Sequence, residues 1–188
     1  GALGIGVLAA GGSGLVLRAT RPQQSRLQPV EAEISDATQQ ILETILRSAT
    51  ETATRTAQLR QTASEPAAGL ALEHVDSLLR RIEALVGSEQ IRSQRSSSGE
   101  LTMLEGMATR YLPELVDAAE ETIGFLATFQ GSARQEALDN LESIDRQLTV
   151  LGEGLERIER DIVGGVSRSL EVHAEFLRTR FADQHLNP

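Results

Sequence analysis

Seven apolar residues near the C-terminus recur at spacings of three and four without a miss: Leu141, Ile144, Leu148, Leu151, Leu155, Ile158 and Ile162. That rhythm holds one edge of an α-helix apolar for about six turns. Glu, Asp and Arg fill many of the intervening positions. The segment is therefore read as a long amphipathic helix that lays its seam against other helices, in a bundle or a coiled coil. Gly164 and Gly165 follow. A helix-interior glycine costs about 1 kcal/mol relative to alanine, so a bend or break is expected there. Val166, Leu170, His173 and Leu177 resume a stripe to Phe181, and the tail from Ala182 to Pro188 is expected to fray.

Three further helices are expected upstream. Glu31 opens a pattern in which Ile34, Thr38, Ile41, Ile45 and Ala49 share a stripe flanked by Leu42 and Leu46. The stripe then thins to Ala53, Ala57 and Ala63. Pro66 ends this helix, because the residue before a proline disfavours the α region. A second helix starts near Ala67, with Leu72, Val75, Leu79, Ile82 and Val86 on a heptad seam, and stops at Gly87. Ser88 to Ser98 is mostly polar and reads as a flexible loop. A third helix runs from about Gly99 to Phe129, with Leu101, Leu104, Ala108, Tyr111, Leu115, Ala119, Ile123 and Leu126 in its stripe. Pro113 lies inside it, where a proline removes a hydrogen bond and kinks the axis. No strand-like alternation is present. The expected fold is all-α: an antiparallel bundle of about four long helices with coiled-coil-like packing, preceded by an N-terminal membrane segment.

That membrane segment is Gly1 to Leu17, which carries no charge and is followed by Arg18, Arg21 and Arg26. Seventeen residues is the low end of what spans a bilayer. With no Met at its start, the span is expected to be truncated. A signal-peptide core and a buried core helix are the competing readings. The glycines at Gly4, Gly6, Gly11, Gly12 and Gly14 fit close packing in lipid better than a soluble helix. The domain division is then 1–17 membrane segment, 18–31 linker, and 32–188 helical bundle domain. Positive residues stay on the cytoplasmic side, which places the body in the cytoplasm, at the cell membrane.

Charge and composition narrow the function. The chain has net charge −9, and residues 1–30 contribute +3 with no acid, which leaves −12 for the rest. Such a body repels phosphates and is a poor nucleic-acid binder. There is no cysteine, and all 18 basic residues are Arg, which removes thiolate sites, Schiff-base chemistry and the P-loop lysine. Gly11-Gly12-Ser13-Gly14 lacks that lysine and a preceding strand. The histidines are His74, His173 and His185, and no Gly-x-Ser-x-Gly accompanies them. Glu171, His173 and Glu175 suggest a metal, yet residues two apart on a helix diverge by about 200°. No Glu-x-x-His pair is present. No catalytic, cofactor-binding or metal-binding residue is assigned, and no cofactor is expected. The best functional candidates are Arg110, Tyr111, Leu112 and Pro113, read either as a recognition surface or hinge, or as a core tyrosine beside a structural kink.

Met107 to Leu115, with Tyr111-Leu112-Pro113 at its centre, resembles the YLP stretch of the XpaC-like family, named for hydrolysis of bromochloroindolyl phosphate. Glu136-Ala137-Leu138, Leu141 to Asp145, Ser169 to Val172 and Phe176-Leu177-Arg178 extend the likeness over about residues 70–181. The resemblance implies a helical, membrane-associated bacterial protein linked to toxic-anion resistance proteins of the TelA kind. The leading expectation is a membrane-tethered scaffold or adaptor that binds a protein partner, such as a TelA-like helical protein, in envelope stress or toxic-anion resistance. The thin alanine face of residues 49–63 motivates it as a docking stripe. A weak phosphate-ester hydrolase and a homotypic assembly module, forming homo-oligomers through the fourth helix, are the alternatives.

Overall fold

The computed structural model describes residues 28–185, with side chains from 36 to 183. It is all-helical, and no strand occurs among the described residues. No described helix is long and apolar enough to cross a membrane. The expected span at 1–17 lies outside the described residues.

Helix α1, Gln28–Thr62, begins ahead of Glu31 and takes Pro29 into its first turn, where a missing N–H costs nothing. Its buried seam is Thr38, Leu42, Ile45, Ala49, Thr52, Thr56 and Leu59. This is a strict four–three rhythm, but it is not the expected alanine stripe. Ala57 is exposed, and Ala53 and Ala63 sit at the flank of the core. Threonine can replace alanine in the seam because its hydroxyl bonds backward to the helix's own carbonyls, as Thr56 Oγ1 does to the Thr52 oxygen at 2.7 Å.

Helix α2, Pro66–Val86, starts with proline in its first turn. It buries the expected seam and, beside it, Ala71, Leu78 and Leu85. A helix apolar on so wide a face lies between neighbours, and α2 packs against α1 and against both helices of the second hairpin.

The segment after Gly87 is tied down, contrary to the expected loop. Ser88 accepts a hydrogen bond from the Ile91 N–H and so caps a one-turn helix α3, Glu89–Arg92. Ile91 is fully buried. Thr38 Oγ1 donates to the Gln94 carbonyl at 2.8 Å and fastens the connection to α1. Ser98 then caps helix α4, Gly99–Gly106, by accepting from the Leu101 N–H.

The expected third helix is one column in three parts. After α4 comes a π-helical turn, Met107–Tyr111, and then α5, Leu112–Thr128. A π-turn holds one extra residue and rotates all that follows. Below it the buried residues are Leu112, Val116, Ala119, Thr122, Ile123 and Leu126. Tyr111, assigned to the seam by spacing, is exposed, as is Phe129 just past the end of α5, and Leu115 is half-buried.

Gly131, at φ 67°, turns the chain into α6, Gly131–His185, a single helix of 55 residues. The break expected at Gly164-Gly165 does not occur. Two helical glycines cost about 2 kcal/mol relative to alanine, less than interrupting a helix with long helix-forming stretches on both sides. The helices form two antiparallel hairpins, α1–α2 and the α4–α5 column with α6. These meet through pairs that run in the same direction. Along α2 and α6, His74 meets Asp145 and Arg81 meets Glu159. Along α1 and the column, Ser48 meets Ala108 and Arg55 meets Asp117. The bundle core closes at Leu155 and Ile158, with Ile162 at its rim. Beyond it α6 continues alone.

Candidate functional site

The four residues singled out by sequence fall at the π-turn and divide into two pairs. Leu112 is buried in the core, and Pro113 is half-buried at the start of α5. Arg110 and Tyr111 face outward, with Tyr111 48% exposed. The Arg110 guanidinium lies 5.4 Å from the centroid of the Tyr111 ring and 3.5 Å from Glu114, one turn on. Tyr111 also rims a surface groove of about 520 Å³ between α5 and α6, floored by Leu115, Ala118, Ile144 and Leu151.

Pro113 sets the geometry of this turn. The Leu112 N–H bonds to the Met107 carbonyl, five residues back. In a regular α-helix that N–H would serve Ala108. The next N–H along a π-turn would belong to residue 113, and proline has none. The Ala108 carbonyl is therefore left without a donor from its own helix. The Ser48 hydroxyl of α1 supplies one at 2.7 Å. The turn is also pressed closely by α6. A Cβ on Gly154 would stand 2.6 Å from the terminal methyl carbon of Met107. Neither Ser48 nor Gly154 stands out in the sequence. The signal available for Gly154 was a pair of glycines, Gly152 and Gly154, in the middle of the strongest seam, where only close approach justifies their cost.

The polar groups hold helices together. Arg55 on α1 reaches Asp117 and Glu120 on α5, at 2.5 and 2.8 Å. Hydrogen bonding to Glu120 and then to Asp117 raises its pKa above the ordinary arginine value. Arg60 pairs with Asp76, and Arg134 pairs with Glu65 while donating to the Leu126 carbonyl at 2.8 Å. Arg81 joins Glu159 and the Gly152 carbonyl, at 2.8 and 3.2 Å. His74 Nδ1 lies 2.9 Å from Asp145. Each of these ties bridges two elements of the bundle, so these are the positions of structural cross-links. Among the described residues no cluster of three His, Asp or Glu side chains could hold a metal.

Most of the exposed bulky apolar side chains among the described residues lie on the arm of α6 past Ile162. Val163, Leu170, Val172, Phe176 and Phe181 are all more than half exposed, Val172 at 71%. The arm passes the α3 connection, where Gln90, Gln94 and Glu100 face Asp161, Gly165 and Ser169 across a shallow groove. At its start Ala49 is buried, so the alanine face of α1 offers no comparable free stripe. No family model, no curated protein and no solved structure matches the chain.

Proposed function

We propose that the chain is a non-catalytic scaffold or adaptor whose docking element is the arm of α6. The observation that carries this reading is the continuation of an amphipathic helix beyond its own bundle. Over residues 163–183, about 30 Å of helix at 1.5 Å per residue, bulky apolar side chains stand in solvent. A run of this kind on a monomer marks an interaction site, and helix-on-helix packing is the mode that suits it. The uncharged stretch Gly1–Leu17 and the arginines after it support a membrane-tethered placement with the bundle on the cytoplasmic side. The resemblance to the XpaC-like family accords with that placement, and a TelA-like helical protein is one partner it suggests. The hydrolase alternative has no specific geometric support: the acid and histidine side chains nearest one another, His74 and Asp145, serve as a tie between α2 and α6.

The test is recovery of the full chain from membranes of its own cells. Wild-type chain should bring a protein partner, or further copies of itself, in stoichiometric amount. A chain carrying Leu170→Glu, Val172→Glu and Phe176→Glu should lose it while the bundle remains folded. Equal recovery from both chains would remove the arm from the account.

A further inference from the structure

We infer that the arm of α6 shelters the chain's own segment Gly1–Leu17 until that segment enters a bilayer, so that membrane insertion is what frees the arm for its partner. This rests on the reading of the arm as the docking element and of Gly1–Leu17 as the tether, and names how that docking is regulated.

The arm carries its apolar stripe on a defined side. Val163, Leu170, Leu177 and Phe181 lie about 60–100° round the helix from Ile162, with Val166 at the stripe's edge. Together they are five of the seven exposed bulky apolar side chains of the arm. Lower down, Gly152 and Glu159 occupy the same side of α6, and both meet Arg81 of α2. The stripe therefore continues the face that α2 covers inside the bundle. Helix α2 ends at Val86, five residues past Arg81. The α3 connection runs along a different side of the arm, against Asp161, Gly165 and Ser169. Above Val86 the place of α2 is thus open among the described residues, for about 25 Å up to Phe181 at 1.5 Å per residue.

Gly1–Leu17 suits that place in length, chemistry and position. As a helix its 17 residues would extend about 25 Å. It carries no charge, and its glycines give small surfaces to the bulky stripe. It is also joined to the right end of the bundle. Thr38 of α1 bonds to Gln94, and Gln94 lines the groove beside Asp161 and Ser169. The ten helical residues ahead of Thr38 rise about 15 Å beyond that level, toward the same end as the arm. Residues 18–27 can extend at most about 36 Å, which sets Leu17 within reach of the whole stripe. A segment tethered so closely acts at an effective concentration of about millimolar, which favours it over any dilute partner.

A bilayer reverses the preference. On the arm the segment buries one side, whereas in hydrocarbon it buries its whole circumference, and the gain scales with apolar area. Insertion draws the segment away and opens the stripe at the membrane. Off the membrane the two apolar surfaces cover each other and the partner site stays closed.

Thiol labelling of the full chain tests this. The chain has no cysteine, so a single introduced thiol reports alone. Leu170→Cys places it in the stripe and Glu175→Cys on the far side. In lipid-free buffer the first should react with a water-soluble maleimide at least about ten-fold more slowly than the second, and dilution should not change the ratio, because cover within one chain does not depend on concentration. Adding Ile5→Glu with Leu8→Glu should abolish the difference, and so should phosphatidylcholine vesicles, which take up the segment. Equal reactivity at the two sites in buffer, protection that survives Ile5→Glu with Leu8→Glu, protection that falls on dilution, or protection that persists in vesicles overturns the proposal. Recovery of the full chain from its own membranes separates that failure from failure of the docking reading. A partner that is lost on Leu170→Glu with Leu177→Glu keeps the arm as the docking element even where labelling overturns the shelter. A partner recovered equally by both chains removes the docking reading and the regulation built on it.

Discussion

The Ser48 hydroxyl donates a 2.7 Å hydrogen bond to the Ala108 carbonyl, across 60 residues of sequence. The bond answers a defect that Pro113 creates one helix away. Proline lacks the N–H that a π-turn would offer Ala108, and the Leu112 N–H is already committed to Met107. Ser48→Ala should therefore destabilise the bundle by about 1 kcal/mol, the usual cost of orphaning a partly buried acceptor. Pro113→Ala restores an N–H at the right place, so Ser48→Ala should cost much less in that background. Urea melts of the four proteins in a double-mutant cycle check this, and a coupling below about 0.5 kcal/mol would contradict it.

Glycines inside helices divide by what surrounds them. Gly69 and Gly124 have open space where a Cβ would go. Gly69→Ala and Gly124→Ala should each stabilise by about 0.5–1 kcal/mol through helix propensity. Gly154→Ala carries the same propensity gain but drives a methyl into the buried end of Met107. It should show no gain or a net loss, and Met107→Ala in addition should relieve the clash. Thermal denaturation of the three alanine variants ranks them.

Ile91 lies in a stretch that reads as a polar loop yet is fully buried. Ile91→Ala should cost about 2–4 kcal/mol, the range for emptying a core site. Ile91→Ser adds a buried hydroxyl and should cost more. A loss under about 0.5 kcal/mol, the size of a surface substitution, would show that the connection is not anchored through this side chain.

Arg55 ties α1 to α5 through Asp117 and Glu120. All three side chains are at least a third exposed, so Arg55→Gln should cost no more than about 1 kcal/mol, and 1 M salt should remove most of the difference. The arginine pKa is raised in the folded state. Its contribution is therefore present below the ordinary arginine pKa and lost only as pH rises through the raised one. Deprotonation of Arg55 should thus leave stability unchanged from pH 6 to 9. A loss of stability across that interval that vanishes in Arg55→Gln would contradict this assignment.

Much of the fold is legible in the sequence, and the misreadings have identifiable causes. The seams of α2 and of α6 up to Ile162 are built from aliphatic residues at strict spacing, and each sits where its rhythm puts it. The seam of α1 is obscured because Thr52 and Thr56 look polar, although a threonine that satisfies its hydroxyl within its own helix packs like a small aliphatic residue. The α4–α5 column is misread at Tyr111 and Leu115, where Leu112 and Val116 take the buried places, and it returns to the expected seam at Ala119, Ile123 and Leu126. Pro113 signals a kink, but proline alone does not say whether the helix bends or inserts a residue. Arg110–Pro113 falls at a singular point of the backbone, the junction of the π-turn and α5, with Tyr111 exposed and Leu112 buried. Gly164-Gly165 misleads in the opposite sense, since local propensity weighs little against a helix continuous on both sides.

The central claim is that the apolar arm of α6 is covered by association. Hydrogen exchange on the full chain as recovered from its own membranes together with whatever associates with it, wild type against Phe176→Glu, addresses it most directly. The account predicts slow exchange through residues 163–183 in the wild type, loss of that protection in the variant, and unchanged slow exchange through 141–158 in both. Equal, rapid exchange of the arm in both proteins would contradict it.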